Sequence, residues 1–193
     1  MKLARVNTGL LCAIIAINLY VIVTPFVPHF TFWWQNRGQH GRTAVLQQKI
    51  QPSHISLNIP NDNRLVVPSM SLDQPIIEGP TMASLMKGPW RIPGTSTPDK
   101  GSNTVIAGHR FTYTNPRGTF YFLDKVKVGD DFAVYWQHKA YTYKVVSTSQ
   151  VPPTQTSIQD SSVTPEVTLF SCTPLWWPKD RLVVVGALEN TYE

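Results

Sequence analysis

Read for hydrophobic and polar positions, the chain falls into three parts. Residues 9–27, GLLCAIIAINLYVIVTPFV, carry no charge and show no polar period. A helix of that length crosses the hydrocarbon of a bilayer, whereas a helix on the surface of a domain would keep a polar stripe. Residues 28–63 come next, and from residue 35 their composition turns to Gln, Asn, Arg, Gly, Ser and Pro. Apart from a short helix expected at 44–50, they read as a spacer. From residue 64 to 193 the pattern becomes one of short apolar or alternating runs separated by turns.

Those runs predict strands at 64–67, 74–77, 103–107, 130–137, 141–151, 167–172 and 181–188. Pro93-Gly94, Lys100-Gly101, Asn115-Pro116 and Gly129-Asp130 supply turn chemistry between them. The runs 131–137 and 140–146 alternate and are separated by a short polar link, which predicts a hairpin. Helical turns are expected at 82–86 and 120–123. Many short strands at this spacing predict a single all-β domain, a closed barrel or a sandwich.

Charge adds orientation. Lys2 and Arg5 precede the apolar run and no basic residue directly follows it, so residues 1–8 are expected in the cytoplasm and the rest outside. A cleaved leader is the rival. The bulky Phe26, Phe30, Phe32, Trp33 and Trp34, with no small-residue cleavage site close behind, favour an uncleaved anchor. Trp33 and Trp34 suit the outer membrane interface. The formal net charge is +5, but the 17 Lys and Arg residues are scattered, which argues against a nucleic-acid partner. The remaining histidines, His29, His40, His54 and His138, lack ligand spacing, so no metal site is expected.

The candidate chemistry lies in TLFSC-TPLWWPKD-RLVVVGAL, residues 168–188. Two apolar strands flank a loop, and in a hairpin Cys172 and Arg181 would share one end. The only other cysteine, Cys12, lies in the apolar run and cannot pair with it. Cys172 is therefore either a buried small hydrophobe or a thiol in use. Upstream, NTVIAGHR (residues 103–110) is a strand whose Gly108 lets the chain turn and leaves His109 at the strand's end. A cysteine nucleophile needs a nearby acid/base or positive charge, and a histidine can also protonate a leaving amine. Arg181 could stabilise the oxyanion of acyl transfer. Singly, each residue also has a structural reading.

Taken together, NTVIAGHR, TLFSC 63 positions on from His109 to Cys172, and an arginine nine positions further resemble the sortase family of cysteine transpeptidases. Val67-Pro68 through Gly79, 85–93 with its KGPW, and FYFLDKVKVGDDF extend the resemblance over about residues 64–190. It implies an eight-stranded β-barrel behind an N-terminal transmembrane helix, a single-pass cell-membrane protein with its catalytic domain outside, and no cofactor. It implies Cys172 as nucleophile, His109 as acid/base and Arg181 as oxyanion or positioning group. The substrate would be an LPxTG-like sorting signal of secreted surface proteins, and the acceptor an amine of the cell wall or a pilin. Ser171 stands where the family usually has Thr, and either hydroxyl can serve substrate or backbone. Ser171 and Thr173 are expected near the substrate. Trp176 and Trp177 form either a lip over the peptide or a packing contact. The alternatives are an L,D-transpeptidase-like enzyme, whose SHGC-type motif is absent, and a non-catalytic peptide-binding barrel.

Overall fold

Strand pairing follows the alternation of the sequence. The structure is a computed structural model describing residues 2–38, 41–55, 59–113, 120–175 and 177–193. Its strands are β1 (Arg64–Val67), β2 (Leu72–Pro75), β3 (Trp90–Arg91), β4 (Asn103–Ala107), β5 (Asp131–Trp136), β6 (Lys139–Val151), β7 (Glu166–Thr173) and β8 (Asp180–Tyr192). They form one eight-stranded curled sheet in the order β2-β1-β5-β6-β8-β7-β4-β3. Its two ends meet at Ile77, whose N–H donates to Pro89 O (2.7 Å) and whose carbonyl accepts from Arg91 N (3.0 Å). All pairs are antiparallel except β4–β7, which run side by side. The 3-10 turns Met82–Lys87 and Leu123–Lys125 fall at or beside the expected helical turns.

Among the strands, β8 runs on to Tyr192, and β2 and β3 differ most from expectation. β2 starts at Leu72, because Ser71 (φ 53) reverses the chain after the turn Pro68–Met70 and fixes the register from there. β3 has only two residues, too few to show a period. The β5–β6 hairpin closes through Gln137-His138, both left-handed (φ 48 and 62) without a glycine. That conformation fits a two-residue turn of this twist. Asn63 helps hold it by accepting the Gln137 N–H at 2.9 Å.

Period two sorts the side chains. Leu65, Val67, Phe132, Val134, Ile106, Leu169 and Val184 face the main core, while Val66, Ala133 and Tyr135 belong to a second cluster. The second cluster exists because of the segment read as a spacer. Helices α3 (Arg42–Lys49) and α4 (Pro52–Ile55) place Leu46, Ile50 and Ile55 against the outside of β1 and β5. Both faces of those strands are therefore buried, and the apolar area involved makes this a packed layer rather than a loose linker. Ahead of it, α1 (Lys2–Val23), a 3-10 turn (Thr24–Phe26) and α2 (Val27–Gln35) follow one another. The apolar side chains of α1 stand exposed, as they would toward lipid.

Charge ties the helical layer down. Lys49 Nζ and Arg64 Nη1 bind opposite oxygens of the half-buried Asp73 at 2.9 and 2.7 Å. Burial alone would raise the Asp73 pKa, but hydrogen bonds from Lys49 and Arg64 outweigh it and hold the carboxyl below its usual 3.8. A depressed carboxylate contributes stability that is present above the unfolded value and lost as pH falls through the folded one. Below pH 3.8 the unfolding free energy of the parent should therefore fall more steeply than that of Asp73→Asn, measured by denaturant titration across pH. Parallel curves would show that the triad adds nothing.

Candidate active site

The site follows from the parity of three adjacent strands. On β7, Val167 and Leu169 point into the core, so Ser171 does as well, and Cys172 falls on the opposite face with Phe170. On β8, Val184 points inward, which sends Arg181 outward. Cys172 and Arg181 are direct cross-strand partners, and Arg181 Nη1 donates to Cys172 Sγ at 3.2 Å. On β4, Ile106 points inward opposite Leu169, and Ala107 pairs with Phe170 on the outer face. Carrying that register two residues further sets His109 across from Cys172.

Two hydrogen bonds carry it that far. Gly108 N donates to Phe170 O at 3.1 Å, and Ser171 Oγ donates to Gly108 O at 2.8 Å. Of the two partners open to it, the Ser171 hydroxyl has therefore taken the backbone: it is buried and stitches the histidine's strand end to the cysteine's. A buried donor already spent on a carbonyl is costly to withdraw. Beyond Gly108 the chain is held by Phe120 N, which donates to His109 O at 2.8 Å.

Among the described residues the partly buried His109 makes no side-chain hydrogen bond. Burial lowers its pKa below the usual 6.5, which leaves the imidazole neutral, and able to accept a proton, at neutral pH. Thr173 ends β7, half-buried, and its carbonyl accepts from Lys179 N at 3.0 Å, closing the base of the loop. Leu175 packs back on the main core, whereas Trp177 is 81% exposed. Trp176 lies outside the described residues. Among the described residues no three His, Cys, Asp or Glu side chains converge as a metal site would. Gln150 Nε2 donates to Asp180 Oδ2 at 2.6 Å beside the loop's exit, a support that no local sequence pattern announces.

The layout is a thiol at one strand end of the barrel, with an arginine on one neighbouring strand and, by register, a histidine at the end of the other. A family model described as the sortase domain matches residues 65–189, and the chain belongs to that family, whose members are cysteine transpeptidases. The chain is 28% identical to Sortase A of Bacillus anthracis over 66% of its length, and 27% identical to Sortase SrtE1 of Streptomyces coelicolor over 90%. These matches span 60% and 55% of the two relatives, so the chain covers little more than half of either. Among solved structures it resembles sortase A of Listeria monocytogenes (TM-score 0.61, 26% identity, 67% of this chain and 88% of that one). It also resembles the Group B Streptococcus Pilus Island 1 sortase C2 (TM-score 0.61, 30% identity, 73% and 81%). The barrel expected from the sequence is the fold found. The family match decides against the L,D-transpeptidase-like alternative.

Phe120 is the partner of the site that sequence reasoning missed. A Cβ on Gly108 would lie 2.5 Å from Cγ of its ring, so the glycine is required by close approach and not by a left-handed backbone. The contact is invisible locally because the two residues are twelve positions apart. Gly108→Ala should force the ring and the His109 strand end apart, lowering the melting temperature and cutting any turnover at least tenfold, by differential scanning fluorimetry and peptide-cleavage assay. Unchanged values in both would show that the ring yields freely.

Proposed function

We propose that this protein is a membrane-anchored sortase that cleaves an LPxTG-like sorting signal and transfers the acyl portion to an amine of the cell wall or a pilin. The observation that carries the reading is the 3.2 Å contact of Arg181 with the Cys172 sulfur, on the face to which register also brings His109. In the first half-reaction the Cys172 sulfur attacks the carbonyl carbon of the scissile peptide bond and its proton passes to His109. The tetrahedral oxyanion is stabilised by Arg181, whose charge does not vary with pH. His109 then protonates the departing amine, the C–N bond breaks, and a thioester remains on Cys172. In the second half, an acceptor amine gives a proton to His109 and attacks the thioester carbonyl carbon, forming the new amide bond; the C–S bond breaks and the sulfur takes that proton back from His109.

The exposed Trp177 is suited to line the peptide's path, and Thr173 to border it. Trp176, from the sequence, belongs to the same proposal. The division at 1–8, 9–27, 28–63 and 64–193, with the barrel outside the cell, remains part of this reading. It is supported by the apolar, exposed helix running from Arg5 to Gln35 and by the basic residues at its start. A fixed tether would suit an enzyme whose substrates and acceptors are themselves held at the cell surface.

Intact-mass spectrometry after incubation with a library of sorting peptides should show a thioester adduct on the parent chain and none on Cys172→Ala. An adduct surviving on Cys172→Ala would overturn the mechanism, and undisturbed peptide affinity with no adduct on the parent would favour a binding barrel. Arg181→Ala should lower kcat by roughly 10²–10³-fold with a smaller change in KM, as for a lost oxyanion donor. A rise in KM alone would make Arg181 a ground-state binding residue.

A further inference from the structure

The helix ahead of the barrel does not stand clear of it. Tyr20 Oη of α1 donates to Tyr113 O at 3.3 Å, with the two rings 6.2 Å apart. Pro25 O accepts from Tyr121 Oη at 3.1 Å, and Thr24 and Pro25 are buried at that contact. On α2, the His29 ring meets Tyr121 and Phe122 edge-on at 5.2 and 5.3 Å, and Phe32 packs on Phe122 at 4.5 Å. The barrel side of these contacts comes from the stretch that follows His109, the same stretch whose Phe120 N–H holds the His109 carbonyl. The helix thus clasps the segment that carries the histidine.

The opposite side of α2 is uncovered. Phe30, Trp33 and Trp34 are each more than half exposed, and the Arg37 guanidinium lies 3.7 Å over the Trp33 ring. Amphipathic aromatics with a snorkelling cation are the side chains that partition to the headgroup level of a bilayer. Depth can be estimated along the helix. About 30 Å of hydrocarbon at about 1.5 Å per residue is about 20 residues, which from Gly9 places the outer edge near Pro28. Tyr20 then lies inside that edge, so its partner Tyr113, 44% exposed, must reach the bilayer as well. Phe111 and Thr112, beside it, are uncharged and raise no barrier to this.

We infer that the barrel is seated on a phospholipid bilayer through the α2 aromatic face and residues 111–113, so that the end of the barrel bearing His109 and Cys172 is held at the membrane surface. This rests on the membrane reading above but adds to it: an anchor alone lets a domain swing, whereas the clasp fixes which end faces the lipid. The other end of the barrel supplies a reference point. Val163 is fully exposed beside the starts of β4 and β7, where Ser162 N donates to Ser102 Oγ, opposite the ends bearing His109 and Cys172.

The test uses the full chain in phospholipid nanodiscs carrying lipids brominated near the headgroup, with one tryptophan added at a time and its fluorescence obtained by difference from the parent. Tyr113→Trp should lose roughly half of its added emission, as an interfacial aromatic would, and Val163→Trp almost none. Ile17→Trp, probed with lipids brominated deeper in the chains, reports the span itself. Quenching at 17 with none at 113, or equal quenching at 113 and 163, overturns the seating while leaving the anchor intact. No quenching at 17 removes the membrane reading and the seating with it. The double change His29→Ala and Phe32→Ala should bring the value at 113 down toward that at 163 while leaving 17 unchanged. If the value at 113 stays high, the clasp is not what seats the barrel. None of these readings depends on the chemistry of Cys172.

Discussion

The parallel alignment of β4 with β7 is the constraint on which the candidate site depends. Parallel strands cannot be joined by a tight turn, so their register must be held by bonds between residues far apart in sequence. Here the ladder from Asn103–Glu166 to Ala107–Phe170 is extended by Gly108 N to Phe170 O and by Ser171 Oγ to Gly108 O. At the other end, Thr168 Oγ1 donates to Asn103 Oδ1, and Asn103 Nδ2 donates to the carbonyls of Ile158 and Asp160, pinning the crossover between β6 and β7. A slip of one residue would turn Cys172 into the core and Ser171 outward. Both ends of the register are guarded by buried side-chain hydrogen bonds, where an unmade bond costs most.

The hairpin β7–β8 adds the third group by a different route. Its antiparallel register makes Cys172 and Arg181 direct neighbours, and the loop between them is free to vary because Leu175 secures it to the core while Trp177 stays in solvent. Rigid strand ends position the reacting groups and a partly exposed loop offers apolar surface beside them. Such a division of labour would suit the proposed chemistry, with fixed geometry for the thiol and adaptable surface for a peptide.

The part of the chain before residue 64 has a larger structural share than its composition suggests. Helices α3 and α4 cover the outside of β1 and β5, and the Lys49–Asp73–Arg64 triad fastens them. Asn36, Thr43 and Ser71 join in a small polar cluster next to it, with Asn36 Nδ2 2.9 Å from Ser71 Oγ. Among the described residues, α2, the layer of α3 and α4 and the barrel thereby pack together.

The sequence by itself determined the fold class and most of the strands, and it singled out Cys172, His109 and Arg181 as candidates. Strand runs such as 64–67 and 103–107 are strongly patterned, and the pieces NTVIAGHR and TLFSC carry their meaning locally. It also pointed to the apolar helix, because length and absence of charge are properties of a single segment. What it did not contain were contacts between distant positions: the two-residue β3, the ring of Phe120 against Gly108, the inward hydroxyl of Ser171, and the packing of 42–55 on the barrel. Each depends on which face a residue presents and on what another stretch places there. Only the tertiary structure decides that, because period two says that two sets of side chains part company, and burial by a distant element says which set is inside.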